Sequence, residues 1–407
     1  MPLRTRRART RSAWRRRLPA PPAPPPAPLP YNVLADLPHT RSFARTCAAA
    51  RLLAAQADAP LRSFFESCEE ALLLVDEELR RPPPPVFWGG GANDISRLPE
   101  DRLDFAAMLR AKCEALVAFR ACRRVRLTHA DSGFFAAFLG VLDSLLLSHP
   151  AAEVSVEWRR GGGEQHFTYW PAARDACVWR ELFEPIGVRA EPCDGVPSLS
   201  RRWNFFFGGR FRWRLRHSRF ARGQRHIYHQ TYRRWVRLRH PQLLHEAATI
   251  GKALREGESI GVHKRVDTPG TAAYQGAKRV PSAAEFVEAV RRVAARMARA
   301  PTHIYLATDC AHSVEVFRAA FGEALVVRQD VQRTRGGVNA DCTLNEAHIL
   351  SPHNPEPGFG NALAVLGDAM LLSQCRRVIH MDSNVTSAVS IMNPDTEMLH
   401  IVDVLTD

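Results

Sequence analysis

No run of about 18 apolar residues occurs anywhere in the 407-residue sequence, so no membrane-spanning helix is predicted. Nine cysteines are present, but none form Cys-x-x-Cys pairs and no Cys/His cluster has zinc-ligand spacing. A structural metal is therefore not expected. The Walker A pattern is absent, and so is Gly-x-Gly-x-x-Gly after a strand, which argues against P-loop ATPases and dinucleotide enzymes. The second half has no Asp-x-Asp motif. A phosphate ligand there would be held by arginine and backbone rather than through Mg²⁺ or Mn²⁺. Acid is missing from two stretches: Met1–Arg17 and Arg201–His240 hold 8 and 13 arginines with no Asp or Glu.

These two stretches account for more than the whole net charge of +14, so the remainder is acidic in sum and the basicity is local. The hydrophobic fraction of 45% suffices for sizeable cores, and the length allows two or three domains. The start resembles a basic n-region, but PAPPAPPPAPLP (Pro19–Pro30) follows where an apolar core would stand, so no signal peptide is predicted.

The expected organisation is a disordered basic and proline-rich tail over 1–30 and a helical extension over 31–94. An α/β domain over 95–250 and a second α/β domain over 251–407 follow. In the extension, Phe64–Glu78 has helical spacing and Arg81–Pro85 (RPPPP) stops it. In the first domain Leu103–Arg120 reads as a helix and Arg123–His129 as a strand. Ser132 reads as a helix N-cap or as an acceptor contact. Phe134–Leu147 reads as a helix, Val154–Trp158 as a strand and Val178–Phe183 as a short helix. Arg201–His240 interleaves arginine with Trp, Phe and Tyr, a mixture that suits single-stranded nucleic acid, an acidic sugar or a membrane surface. No RNA-binding motif accompanies it, and Ile227–Leu244 has helical spacing. An interdomain helix with a wet basic face is the favoured reading.

From Ser259 strands and helices alternate most clearly. Predicted strands are Ile260–Val262, His303–Ala307, Leu325–Arg328, Val378–Met381 and a closing Leu399–Val404. Predicted helices are Ala283–Ala298, Ala311–Phe321, Asn361–Gln374 and Val385–Met392, with no final helix after the last strand. This is the pattern of a doubly wound parallel sheet, whose strand ends hold ligands. Polar residues stand at consecutive ends: Arg265, then Thr308 and Asp309, then Ser383 and Asn384. An arginine fork matches two phosphate oxygens, and a helix entrance offers free N–H groups. Each has a plainer reading too. Arg265 solvates a strand end, Asp309 caps a helix, and Ser383 is an N-cap.

The stretch IGVHKRVDTPGT (Ile260–Thr271) resembles the first motif of the fucosyltransferase superfamily, which includes core α1,6-, nodulation and protein O-fucosyltransferases. IYLATDC (Ile304–Cys310) is similar to its second motif, and GDAMLLSQCRRVIHMDSNVTSAVSIMNP (Gly367–Pro394) to its third. The resemblance implies a GT-B fold, two Rossmann-like domains facing a cleft. It implies an inverting, metal-independent transfer of fucose from GDP-fucose to a glycan or glycoprotein acceptor, with no cofactor. It also implies a place in the Golgi or secretory pathway. On the matching positions, Arg265 would bind the β-phosphate and stabilise the leaving group, and Ser383 would bond the same phosphate. His263 and Asp368 would contact guanine, and Asp309 would order the site. Taken alone, Asp368 reads as part of a surface face.

The sequence departs from the family in three ways, one being that the first-motif stretch is a residue shorter than in the core α1,6 enzymes. Val266 stands where many relatives carry a second arginine, and Ala272 where the core α1,6 enzymes place a catalytic Glu. Asp267 is the nominated base, with a carboxylate of the first domain as an alternative. The departures leave open a chain that binds the donor without transferring it. A nucleic-acid or polyanion-binding protein working through Arg201–His240 is the remaining alternative.

Overall fold

The computed structural model describes residues 124–128, 133–148, 152–158, 169, 176–186, 222–265, 280–333, 358–381 and 383–406. The expectations for the tail, the helical extension, Ser132, Val266, Asp267 and Ala272 lie outside these residues.

The first α/β segment is built from β1 (Arg124–Leu127), α1 (Phe134–Leu147), β2 (Glu153–Val156) and α2 (Val178–Leu182). β1 and β2 pair in parallel. The α1 N-cap position falls on Gly133 rather than Ser132, and no side chain caps it. Phe134, Phe138, Trp158, Trp179 and Phe183 pack edge-on, stacked or tilted around α1.

The predicted helix over Ile227–Leu244 is two helices, α3 (Arg222–Trp235) and α4 (Pro241–Ala248). Between them the chain is extended, and Leu238 forms an antiparallel bridge with Phe183. Pro241 explains the break: it cannot sit in a helix interior, and it takes the first helical position of α4. A short helix, α5 (Ile250–Glu256), leads to the second sheet.

The second sheet is five-stranded and parallel in the order β5-β4-β3-β6-β7. Its strands are β3 (Ser259–Lys264), β4 (His303–Thr308), β5 (Leu325–Val326), β6 (Arg377–His380) and β7 (Glu397–His400). On one face lie α6 (Ala283–Ala295) and α7 (Ala311–Phe321), and on the other α8 (Phe359–Leu372) and α9 (Asn384–Met392). Strand alternation explains both layers. Ile260, Val262, Ile304, Leu306 and Ile379 meet Phe286, Val290 and Phe317. Tyr305, Val378 and Met398 meet Leu366, Leu372 and Ile391. Gly261 is on the latter face, and a Cβ there would lie 2.9 Å from Leu372 Cδ2, so the missing side chain lets α8 close on β3. α1 and α3 pack on α9, and His229 Nδ1 lies 2.8 Å from the carbonyl oxygen of Ile391.

The predicted closing strand ends early. β7 stops at His400, and Ile401–Thr406 form a final helix, α10, packed on α6. Ile401, Val402 and Val404 are buried, and Arg292 Nη1 donates to the Leu405 carbonyl at 2.9 Å. The apolar spacing there fits either period, and burial against α6 selects the helix.

Candidate functional site

Parallel strands deliver their carboxyl ends to one rim. His263 pairs in register with His380, and Lys264 with Thr308. Arg265 is two residues beyond His263 and Ser383 three beyond His380, so both leave the sheet at the same rim. Arg265, Thr308, Asp309, Ser383 and Asn384 therefore all stand at the carboxyl-end rim of this sheet.

Arg265 Nε lies 3.4 Å from Asp309 Oδ2, with the two side chains 22% and 10% exposed. Pairing through Nε leaves the terminal fork of the guanidinium for another anion. Asp309 does not cap α7: the N-cap is Cys310, and no side chain caps the helix. Thr308 is buried, and its Oγ1 accepts from the Cys310 N–H at 3.2 Å, fixing the turn out of β4. Lys264 is buried beside it and donates from Nζ to the Arg265 carbonyl at 3.0 Å.

Ser383 is the N-cap of α9 in a reciprocal box with Thr386. Ser383 Oγ accepts from the Thr386 N–H at 3.1 Å, and Thr386 Oγ1 accepts from the Ser383 N–H at 3.0 Å. The cap aims the positive end of the α9 dipole at the rim beside Arg265. Asn384 is the first residue of α9.

His263, His380 and His400 form one row across β3, β6 and β7 on the α8/α9 face. All three are buried, and the His380 and His400 rings meet edge-on at 5.7 Å. Burial, and then the Arg265 charge, push His263 down to about 4, with Asp309 opposing. Burial above all, then His263 and Arg225, push His380 down to about 3, against a hydrogen bond that its ring donates to the Met381 backbone. Both rings are neutral at neutral pH. Arg225, on the first turn of α3, is itself buried and brings a second positive charge near this row. Arg225, His380 and His400 were not singled out from the sequence. The signal for His380 is a lone polar residue inside the apolar run VIHM, and Arg225 is indistinguishable from its basic neighbours.

Asp368 is not on a surface face. It accepts from the Tyr305 hydroxyl at 2.7 Å and lies 3.9 Å from Arg328 Nη1. Burial raises it to about 6, opposed by Arg328 and by the tyrosine hydrogen bond. Tyr305 is three residues before Thr308, so Asp368 sits about 10 Å down the sheet from the rim. Arg328, at the end of the predicted third strand, has left the sheet for this network. Its side chain is 1% exposed and bonds Glu246 at 2.9 Å, Asp330 at 3.2 Å and the Ala364 carbonyl at 2.9 Å. Gly367 makes room for it: a Cβ there would lie 2.6 Å from Arg328 Nη1.

These shifts set an acid limit. Above pH 6.5 His263 and His380 are neutral in both the folded and unfolded chain, and their contribution to stability is fully present. As pH falls toward 4 the unfolded chain takes up protons that the buried rings refuse, and stability is lost. Asp368 acts oppositely, gaining its proton in the fold near pH 6, before the unfolded chain does. Two imidazoles outweigh one carboxyl, so stability should fall by roughly 2–3 kcal/mol between pH 6.5 and 4.5. Urea unfolding at several pH values checks this, and His380→Asn should flatten the slope. A flat profile for the wild type would refute the assignment.

Among the described residues no group of three or more His, Cys, Asp or Glu could hold a metal ion. No helix among them is long and apolar enough to cross a membrane.

No protein-family model matches the chain, and no curated protein matches it in sequence. Among solved structures, it is similar to the fucosyltransferase NodZ from Bradyrhizobium at 16% identity and a TM-score of 0.39, over 67% of this chain and 94% of that one. A crystal of NodZ α-1,6-fucosyltransferase soaked with GDP-fucose matches at the same identity and TM-score, over 67% and 93%. POFUT1 in complex with GDP matches at 10% identity and a TM-score of 0.34, over 68% and 97%. At such TM-scores the likeness assigns no activity.

Proposed function

We propose that the chain is an inverting, metal-independent glycosyltransferase that moves fucose from GDP-fucose to a glycan or glycoprotein acceptor. The observation that carries the reading is the rim itself. Arg265, paired with Asp309 beyond β3, and the helix entrance capped by Ser383, beyond the neighbouring β6, leave the parallel sheet at the same carboxyl-end rim. Three ordered motifs in the sequence supply the donor class.

In the proposed reaction an acceptor hydroxyl attacks the anomeric carbon from the face opposite the diphosphate. The bond from that carbon to the β-phosphate oxygen breaks, and GDP leaves with the electron pair. Arg265 matches the charge that develops on the leaving oxygen, and the α9 dipole adds to it. Thr308 and Asn384 line the same rim. The neutral ring of His263 is suited to a hydrogen bond with an uncharged base. Asp368 reaches guanine only if the base extends down the α8 side of the sheet. Asp267 remains the nominated base for the acceptor proton.

Val266 and Ala272 favour a second reading, donor binding without transfer. Screening GDP-fucose, GDP-mannose and UDP-sugars with a glycan array, in EDTA, separates the two. Transfer from GDP-fucose alone is the expected result. Binding of GDP without turnover on any acceptor establishes the second reading, and preference for a UDP-sugar or a strict metal requirement eliminates both.

A further inference from the structure

Beyond the rim, the most unbalanced described surface is the exit from α3. Arg233, Arg234, Arg237 and Arg239 are all exposed. None of the four forms an ion pair among the described residues. The chain is extended here, so Arg237 and Arg239 project to one side while Val236 is buried on the other. Arg237 Nη1 donates to the Arg233 carbonyl, folding it back beside the last turn of α3, and to the Val236 carbonyl at 3.2 Å. Arg234 lies over the Trp235 ring at 5.1 Å. The four exposed arginines thus fall within one short stretch of chain, 233–239, and Arg234 and Arg237 are held in place by contacts that leave donors facing solvent. The exposed carboxylates of Glu181, on α2, and of Glu184, just past the bridge residue Phe183, mark its edge.

We infer that this patch docks a linear acidic glycan, one bearing sulfate or uronic acid groups. A planar fork matches the paired oxygens of a sulfate or carboxylate, which suits arginine better than a point charge. Single-stranded nucleic acid fits less well, because it uses open aromatic faces as stacking platforms. Among the described residues Trp235 is the only exposed large aromatic side chain, and Arg234 occupies its face. The patch lies about 12 Å further along α3 than Arg225. It stands independently of the transferase reading.

The test uses the full chain and a heparin octasaccharide as probe, titrated from 0.05 to 0.3 M salt. The wild type is compared with a variant carrying Arg233→Ser, Arg234→Ser, Arg237→Ser and Arg239→Ser. A control carries Arg6→Ser, Arg7→Ser, Arg9→Ser and Arg11→Ser in the basic tail. The patch variant should bind at least tenfold more weakly at 0.15 M salt, with a log–log salt slope reduced by about three. The tail control should bind like the wild type, and both variants should keep the wild-type thermal midpoint. If the fourfold variant unfolds, Arg237→Ser and Arg239→Ser singly should each give part of the loss. Unchanged affinity and slope overturn the proposal. So does a loss confined to the tail control, or tighter binding of a 20-nucleotide single-stranded RNA through the same arginines.

Discussion

Arg265→Ala should weaken GDP binding about 10- to 100-fold and lower transfer from GDP-fucose about 10²- to 10³-fold. Asp309 takes the Nε edge of this guanidinium, so the terminal fork is what an incoming diphosphate would meet. Charge-assisted, two-pronged hydrogen bonds of that kind are roughly twice as strong as neutral ones. The larger effect on rate follows because the leaving oxygen gains charge only as the sugar bond breaks. Arg265→Lys keeps the charge but loses the planar fork, and should fall between Ala and wild type in binding. Calorimetry with GDP, with and without EDTA, reads the first effect, and single-turnover kinetics the second. Undiminished binding by the Ala variant would remove the diphosphate from this rim.

Arg328→Met should destabilise the fold by about 3–5 kcal/mol, the cost of leaving buried carboxylates without their cation. Arg328 is 1% exposed and ties Glu246 of α4 to Asp330 and to the backbone of α8, with Asp368 and Tyr305 at its other edge. Most of the cost arises from the stranded Glu246 rather than from lost attraction. Combining Arg328→Met with Glu246→Gln should therefore recover a substantial part of it. Urea unfolding followed by circular dichroism measures both variants. A loss below about 1 kcal/mol for the single variant would place the pair in the weak, solvated class.

The strand and helix alternation was legible because each element of the second sheet carries its own period. The bounds of Phe134–Leu147 and Ala311–Phe321 coincide with the observed helices. What was not legible is charge placed inside. Arg328 ends the predicted strand Leu325–Arg328 with nothing in the sequence to mark it as buried, and Asp368 reads as part of a surface face. Both are buried where α4, α8, β4 and the chain after β5 pack together. The row His263, His380, His400 was equally hidden, since register joins residues that sequence keeps far apart. At the rim, the residue types were legible but their divided duties were not. Ser383 spends its hydroxyl on the Thr386 N–H, and one oxygen of Asp309 pairs with Arg265.

The strand order has a further consequence, for how the chain is made. β3 is the middle of the sheet, yet one of its neighbours, β6, is joined to it from far downstream: the Arg376 N–H donates to Ser259 Oγ across 117 positions. Pairings of such long sequence separation form slowly, because loop closure must precede any reward. As the ribosome releases the chain from the amino end, β3 and β4 emerge with one flank bare until β6 follows. An apolar strand with an unclaimed flank recruits other strands. Self-association of half-made chains, rather than unfolding of finished ones, is the failure this topology invites.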